Sequence, residues 1–194
     1  MKYGELNLGQ IEAMVNKLGG IDGVQRFLAN GIVIAGVWKT WRKVTLGTCL
    51  RNPDDFREAI KQSGMKIRDW ANDILAQPAF AVAREKIEVE LINVSVAELG
   101  FKDGATYQDI CLRACGLDLD LCPNEVGPHL RLQYKDQPKN ELLVVAMNAI
   151  TSSSGCPTVF CVERDGGALC LRGLSSSPSS FWNGDNRFLF LRRK

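Results

Sequence analysis

The sequence predicts an α+β fold in which a helical N-terminal half packs with a C-terminal antiparallel β-sheet. Three observations predict it. Apolar residues recur at helical spacing in most of the chain up to Ala76. Beyond Pro128, apolar runs are punctuated by turn signals roughly every ten residues, the pattern of an antiparallel meander. Between these halves Lys86–Val96 alternates apolar and acidic side chains as a strand does. No repeat and no long linker interrupts the chain, so residues 1–194 read as one domain, with a possible subdivision into 1–85 and 86–194.

Leu8, Ile11, Val15 and Leu18 form one helical stripe, with Asn7 as its cap and Gly19-Gly20 as its stop. A second short helix spans Asp22 to Ala29. Two such helices have the form of a DNA-reading motif or of a hairpin used only for packing. Arg26 is the only base in the second helix, where a recognition helix carries several, so packing is the favoured reading.

From Gly31 to Arg51 the chain carries Lys39, Arg42, Lys43 and Arg51 and no acid, with Trp38 and Trp41 interleaved. Val44 and Leu46 alternate with Lys43 and Thr45, which predicts a strand. Exposed tryptophans beside bases can stack nucleobases, and half-buried ones are hydrophobic anchors with solvated bases at their rim. Asn52-Pro53-Asp54-Asp55 is a helix start: a cap, a proline at the first position, and two acids at the positive end of the dipole. Phe56, Ala59 and Ile60 form its buried stripe, and Gly64 ends it. A further helix from Asp69 to Ala76 is expected to bury Trp70 and Ile74 before Pro78 stops it.

In the strand at Lys86–Val96 the alternation slips by one residue after Leu91, which predicts a bulge or two short strands. Thr106 caps a helix whose face is Tyr107, Ile110, Cys111 and Ala114, and Gly116 stops it. Leu117, Leu119 and Leu121 read as extended. Cys122-Pro123 through Gly127-Pro128 reads as a proline-braced loop, and Leu130, Leu132 and Tyr134 open a strand. Further strands are expected near 141–150, 157–164, 168–174 and 187–192.

Composition bounds the function. Hydrophobic residues at 45% and charged residues at 24% are the balance of a folded globular chain, and a net charge of +2 is too small to argue for nucleic acid or anionic lipid by itself. The N-terminal residues carry acids and amides where a signal peptide needs an apolar core, and no apolar run approaches a membrane span. Seven irregularly spaced cysteines, an odd number without a CxxC pair, fit reduced thiols better than a disulfide framework. The expectation is a soluble cytoplasmic protein.

The chain's only histidine, His129, closes a stretch holding Cys111, Cys115 and Cys122. Their spacing matches no zinc module, and the helical phase of the first two places them in the core, so no metal and no cofactor is expected. A Cys122–His129 nucleophilic pair is the simplest enzyme this chain could make. Glu125, His129 and Arg131, on a braced loop and strand, form a second candidate contact surface beside Trp38, Trp41, Arg42 and Lys43. Phosphate-loop, dinucleotide, zinc-protease and serine-hydrolase motifs are absent.

Several segments, LGQIEAMVNKLGGIDGVQRFL, SGMKIRDWANDIL, ELLVVAMNAITSSSG, LCLRG and FWNGDNRFLF, resemble a group of uncharacterised bacterial proteins of about this length. In that group the loop after the AM-x-x-I strand often carries aspartates; here it reads Thr151-Ser152-Ser153-Ser154-Gly155, without carboxylates for a hard cation. The resemblance implies a bacterial origin and no established activity. These readings converge on a non-enzymatic binding or interaction module whose partner is a protein or a small molecule. Nucleic acid is a weaker alternative, and no membrane partner is expected.

Overall fold

One mixed β-sheet organises residues 37–194, and its strands come from both halves of the sequence. The computed structural model describes residues 7–18, 20–28 and 38–193, and the chain divides into two units, residues 1–36 and 37–194. The first unit holds α1 (Leu8–Lys17) and α2 (Ile21–Leu28). Asn7 caps α1 through a capping box with Gln10. Gly20 turns the chain at a φ of +82°, a left-handed conformation that suits glycine. The side chain of Arg26, on which the DNA-reading alternative turned, lies outside the described residues.

The second unit runs, in chain order, through β1 (Arg42–Leu46), α3 (Pro53–Gln62), β2 (Lys66–Ile67), α4 (Asp69–Leu75), β3 (Ile87–Ser95) and β4 (Ala105–Thr106). It continues through α5 (Tyr107–Cys115), β5 (Leu119–Asp120), α6 (Val126–Gln133), β6 (Leu142–Val145) and β7 (Ile150–Thr151). It ends with β8 (Pro157–Asp165), β9 (Ala168–Ser175), β10 (Phe181–Trp182) and β11 (Arg187–Arg192). Seven strands curl in the order β1-β3-β11-β6-β8-β9-β2, with β5 added to β11 and β7 to β8. The pairs β11/β6 and β2/β9 are parallel and the others antiparallel. A separate two-stranded ribbon pairs β10 with β4.

The expected helical half against an antiparallel sheet is therefore corrected. The sheet takes its outer strands β1 and β2 from the first 67 residues, and helices α5 and α6 lie in the second half. Local periodicity names elements but not their neighbours. The β11/β6 parallel pair arises because β11, last in the chain, inserts between β3 and β6 instead of extending the meander. The β2/β9 pair arises because β2, from the first half, adds to the far edge beside β9.

Three local corrections follow from packing. β3 is continuous, without a bulge: it pairs with β1 through residues 87–91 and with β11 through residues 91–95. Leu91 and Ile92 are both buried, so the slip in alternation marks a change from one covered face to two. Residues 126–133 form a helix, not a strand. Pro128 sits in its first turn, where a backbone N–H lacks an intrahelical partner anyway. Gly127 lets that turn approach β8, because a Cβ there would lie 2.5 Å from the Phe160 Cβ. Trp70, expected in the core, is 53% exposed, whereas Ile74 one turn on is fully buried.

The core lies between the sheet and helices α3, α4 and α6. An edge-to-face aromatic chain threads it, from Phe160 to Phe80 at 6.1 Å, Phe80 to Phe56 at 5.7 Å, and Phe56 to His129 at 4.9 Å. The α3 start forms as expected, with Asn52 accepting from the N–H groups of Asp54 and Asp55. No helix among the described residues is long and apolar enough to cross a membrane.

Candidate ligand-binding cleft

The basic segment is held by acids and carbonyls. Trp38 Nε1 donates to the Leu117 carbonyl at 3.0 Å, and Arg192 donates to the Trp38 carbonyl. Trp41 meets Tyr134 edge-on at 5.1 Å; the Arg42 guanidinium lies over Tyr134 at 4.4 Å and pairs with Asp136 at 3.0 Å. Lys43 pairs with Glu88 at 2.9 Å across the β1/β3 ladder. Both indoles are half-buried, and Arg42 and Lys43 each already have a carboxylate partner.

Glu125, His129 and Arg131 lie inside the molecule, at 2%, 1% and 0% exposure. The backbone here is helical, so the first two share a face at i and i+4, and His129 and Arg131, expected on a strand, do not share a strand face. Glu125 Oε1 accepts from the Ala83 N–H at 2.9 Å, and its neighbour Asn124 accepts from Ala81 and donates to Ala79. Together they fasten residues 79–83 to the start of α6. Glu125 Oε2 and His129 Nε2 lie 3.4 Å apart, but the angle makes no hydrogen bond. Arg131 donates to the carbonyls of Tyr134 and Glu163 and to Gln137 Oε1.

The Cys122 thiol donates to the Leu189 carbonyl at 3.4 Å, and complete burial holds it well above the ordinary thiol range. A buried, protonated thiol engaged elsewhere is not an activated nucleophile. No cluster of three or more His, Cys, Asp or Glu among the described residues is arranged to hold a metal ion.

A different set of residues converges on a cavity. A cleft of about 440–490 Å³ is formed at several places on the surface, but the one beside α5, at about 480 Å³, has no charged residue in its wall. Tyr107, Cys111 and Leu112 come from α5, Met147 from the segment after β6, Pro157 from the start of β8, and Ser176 from just beyond β9. Apolar walls with few polar groups are the usual composition of a small-molecule site, and this volume lies in the usual range.

The walls are fixed by hydrogen bonds that follow from how α5 starts. Thr106 Oγ1 accepts from the Asp109 N–H at 3.2 Å. The next two N–H groups, of Tyr107 and Gln108, have no partner within the helix and donate to the carbonyls of Ser180 and Pro178 at 2.8 and 3.1 Å. The Tyr107 hydroxyl donates to the Met147 carbonyl at 2.7 Å and accepts from the Met147 N–H at 3.0 Å. The Ser176 N–H donates to the Pro157 carbonyl at 2.8 Å. Every wall is thus tied to another.

One group is left over. Ser176 is 1% exposed and its Oγ has no hydrogen-bond partner. Leaving a buried hydroxyl unpaired costs about 1–3 kcal/mol. The remaining groups are uncharged at neutral pH: burial pushes the Cys111 thiol up to about 11 and the Tyr107 phenol higher still. The sequence gives the helical phase of Tyr107 and Cys111 but not this site, because Ser176 lies in a serine tract that reads only as a turn.

Comparison of the chain with protein-family models, with curated proteins and with solved structures finds no match, so this cleft is interpreted from its own residues.

Proposed function

We propose that the protein is a non-enzymatic binding module for a small, neutral, mostly apolar molecule carrying one hydrogen-bonding group. The observation that carries this reading is the unpartnered Ser176 hydroxyl in an uncharged, largely apolar cleft of about 480 Å³. An apolar body would displace water from Leu112 and Pro157, and a single donor or acceptor that reaches into the wall would satisfy the buried Ser176 hydroxyl. The absence of charge in the wall disfavours ionic ligands, because their desolvation would go uncompensated. A reducing, cytoplasmic setting belongs to the same proposal: all seven cysteines are free thiols.

The test uses 1-naphthol and naphthalene as matched probes, followed by amide chemical shifts in the native protein. Both should perturb residues of the cleft, Gln108, Leu112 and Ser176 among them. Ser176→Ala should weaken 1-naphthol about three- to tenfold, the net value of one hydrogen bond, and leave naphthalene unchanged. Shifts outside the cleft, or equal loss of both probes, would overturn the proposal.

A further inference from the structure

A second surface, independent of the cleft beside α5, surrounds Trp70. Its indole stands exposed between two grooves of about 440 and 490 Å³, and both grooves are lined by Asp69 and Trp70. An exposed indole with a groove on each side is a platform, and its neighbours indicate what would lie on it.

Charge decides first. The three arginines that line these grooves are already paired: Arg57 with Asp54 at 2.7 Å, Arg68 with Asp165 at 2.8 Å, and Arg172 with Glu163 at 3.0 Å. Asp69 and Asp73 add negative charge to the groove on the Ser153 side. A polyanion would have to displace carboxylates and then face others, so phosphate and sulfate polymers are disfavoured. A protein hot spot is disfavoured too. Interface cores are depleted of charge around their aromatic anchors, whereas charged and amide side chains surround this one. A lone indole is also not the aromatic cage that a quaternary ammonium ion selects.

The polar groups that remain are mixed and neutral in their demand. No described residue donates to the Asp69 carboxylate, which leaves an acceptor beside the indole. Asn72 Oδ1 accepts from Arg57 Nε at 2.6 Å, which leaves its Nδ2 as a donor. In the other groove Arg172 donates through Nη1 to Glu163, with Nη2 left as a further donor. Interspersed donors and acceptors around an apolar face match a molecule with hydroxyls at its rim and C–H bonds on its face. The negative face of an indole attracts such polarised C–H bonds. We infer that the Trp70 ridge binds a neutral oligosaccharide, with one sugar ring stacked on the indole and its neighbours lying in the two grooves.

Isothermal titration of the full chain with cellohexaose, maltohexaose, hexa-N-acetylchitohexaose, xylohexaose and mannohexaose tests this, with polyuridylate and heparin as anionic comparators. At least one neutral hexamer should bind and shift the tryptophan emission. Trp70→Ala should weaken it about tenfold or more, Trp70→Phe should retain part of the affinity, and neither variant should change thermal stability appreciably, since the indole is exposed. Asp69→Asn should weaken binding less than Trp70→Ala. Absence of binding across the five hexamers would overturn the inference, as would binding indifferent to Trp70→Ala. Trp70-dependent binding of the polyanions alone would also overturn it.

Discussion

Trp70 and Gly173 meet without an intervening side chain: a Cβ on Gly173 would lie 2.9 Å from both the carbonyl carbon and the Cβ of Trp70. β2 pairs in parallel with β9, the Arg68 N–H donates to the Leu171 carbonyl at 2.9 Å, and α4 begins directly over the sheet edge. No space remains beneath the first turn for an indole, so Trp70 turns outward while Ala71, Ile74 and Leu75 take the core face.

Gly173→Ala should therefore be destabilising out of proportion to one methyl group. The new carbon would meet the Trp70 carbonyl carbon and Cβ and also the Thr158 Cγ2 at 2.9 Å. Because the Trp70 backbone cannot give way as a flexible side-chain end would, overpacking of this kind costs about 1–3 kcal/mol. Chemical denaturation would measure it, and the Trp70 emission should shift as α4 is displaced. Wild-type stability in this variant would show that the helix has room to move.

Arg131 is fully buried, and the partners of its guanidinium are neutral: the Tyr134 and Glu163 carbonyls and, at 2.5 Å, Gln137 Oε1. Gln137, itself buried, donates through Nε2 to the Glu141 and Val162 carbonyls. Arg131→Met should leave buried acceptors unpaired and cost about 1–3 kcal/mol. Arg131→Met/Gln137→Leu should be less destabilised than the sum of the single changes, because removing both partners leaves fewer orphaned groups. Strict additivity in denaturant would show that the two side chains act separately.

What the sequence made legible were features decided within a few residues. Asn52-Pro53 starts α3, Thr106 starts α5, and the turn at Gly166-Gly167 joins β8 to β9, where the two glycines have φ values of +55° and +90°. Residues 126–134 were not legible, because Val126, Leu130 and Tyr134 suit a helix while Leu130, Leu132 and Tyr134 suit a strand. The choice depends on Gly127 against Phe160, a contact between residues far apart in the chain. The candidate sites were hidden for the same reason. Ser176 meets the Tyr107 helix, and Trp70 meets Gly173, only after the sheet has assembled.

The seven thiols should separate by accessibility. Cys49 and Cys156 are exposed, Cys111 and Cys115 are half-buried, and Cys122, Cys161 and Cys170 are buried. Iodoacetamide at neutral pH, followed by peptide mass spectrometry, should modify Cys49 and Cys156 first. Cys122 and Cys161 should react only on unfolding, because burial both blocks them and raises their pKa. Cys111, with its pKa pushed up to about 11, should react about tenfold faster per pH unit through the alkaline range, and bound 1-naphthol should protect it. Labelling of Cys122 as fast as Cys49 would contradict this packing.

Asp73 ties α4 to the serine loop. Its Oδ2 accepts from the Ser153 N–H at 2.9 Å and from the Ser153 hydroxyl at 3.0 Å, and the backbone donor is the main cause that holds this carboxyl below the ordinary aspartate range. A carboxylate with a depressed folded-state pKa contributes stability that is fully present above its unfolded value and is lost as pH falls through the folded one. The Ser153 amide resonance should therefore remain constant on acidification through the ordinary aspartate range and shift only below it, as protonation weakens the bond. Asp73→Asn should abolish that titration and leave the amide in its weakened position at every pH. Because Asp73 and Ser153 both line the groove on one side of Trp70, oligosaccharide binding there should weaken over the same acidic interval in the wild type and lose that pH dependence in the variant. An amide that titrates with an ordinary aspartate midpoint would mean that the Ser153 bond does not hold the carboxylate.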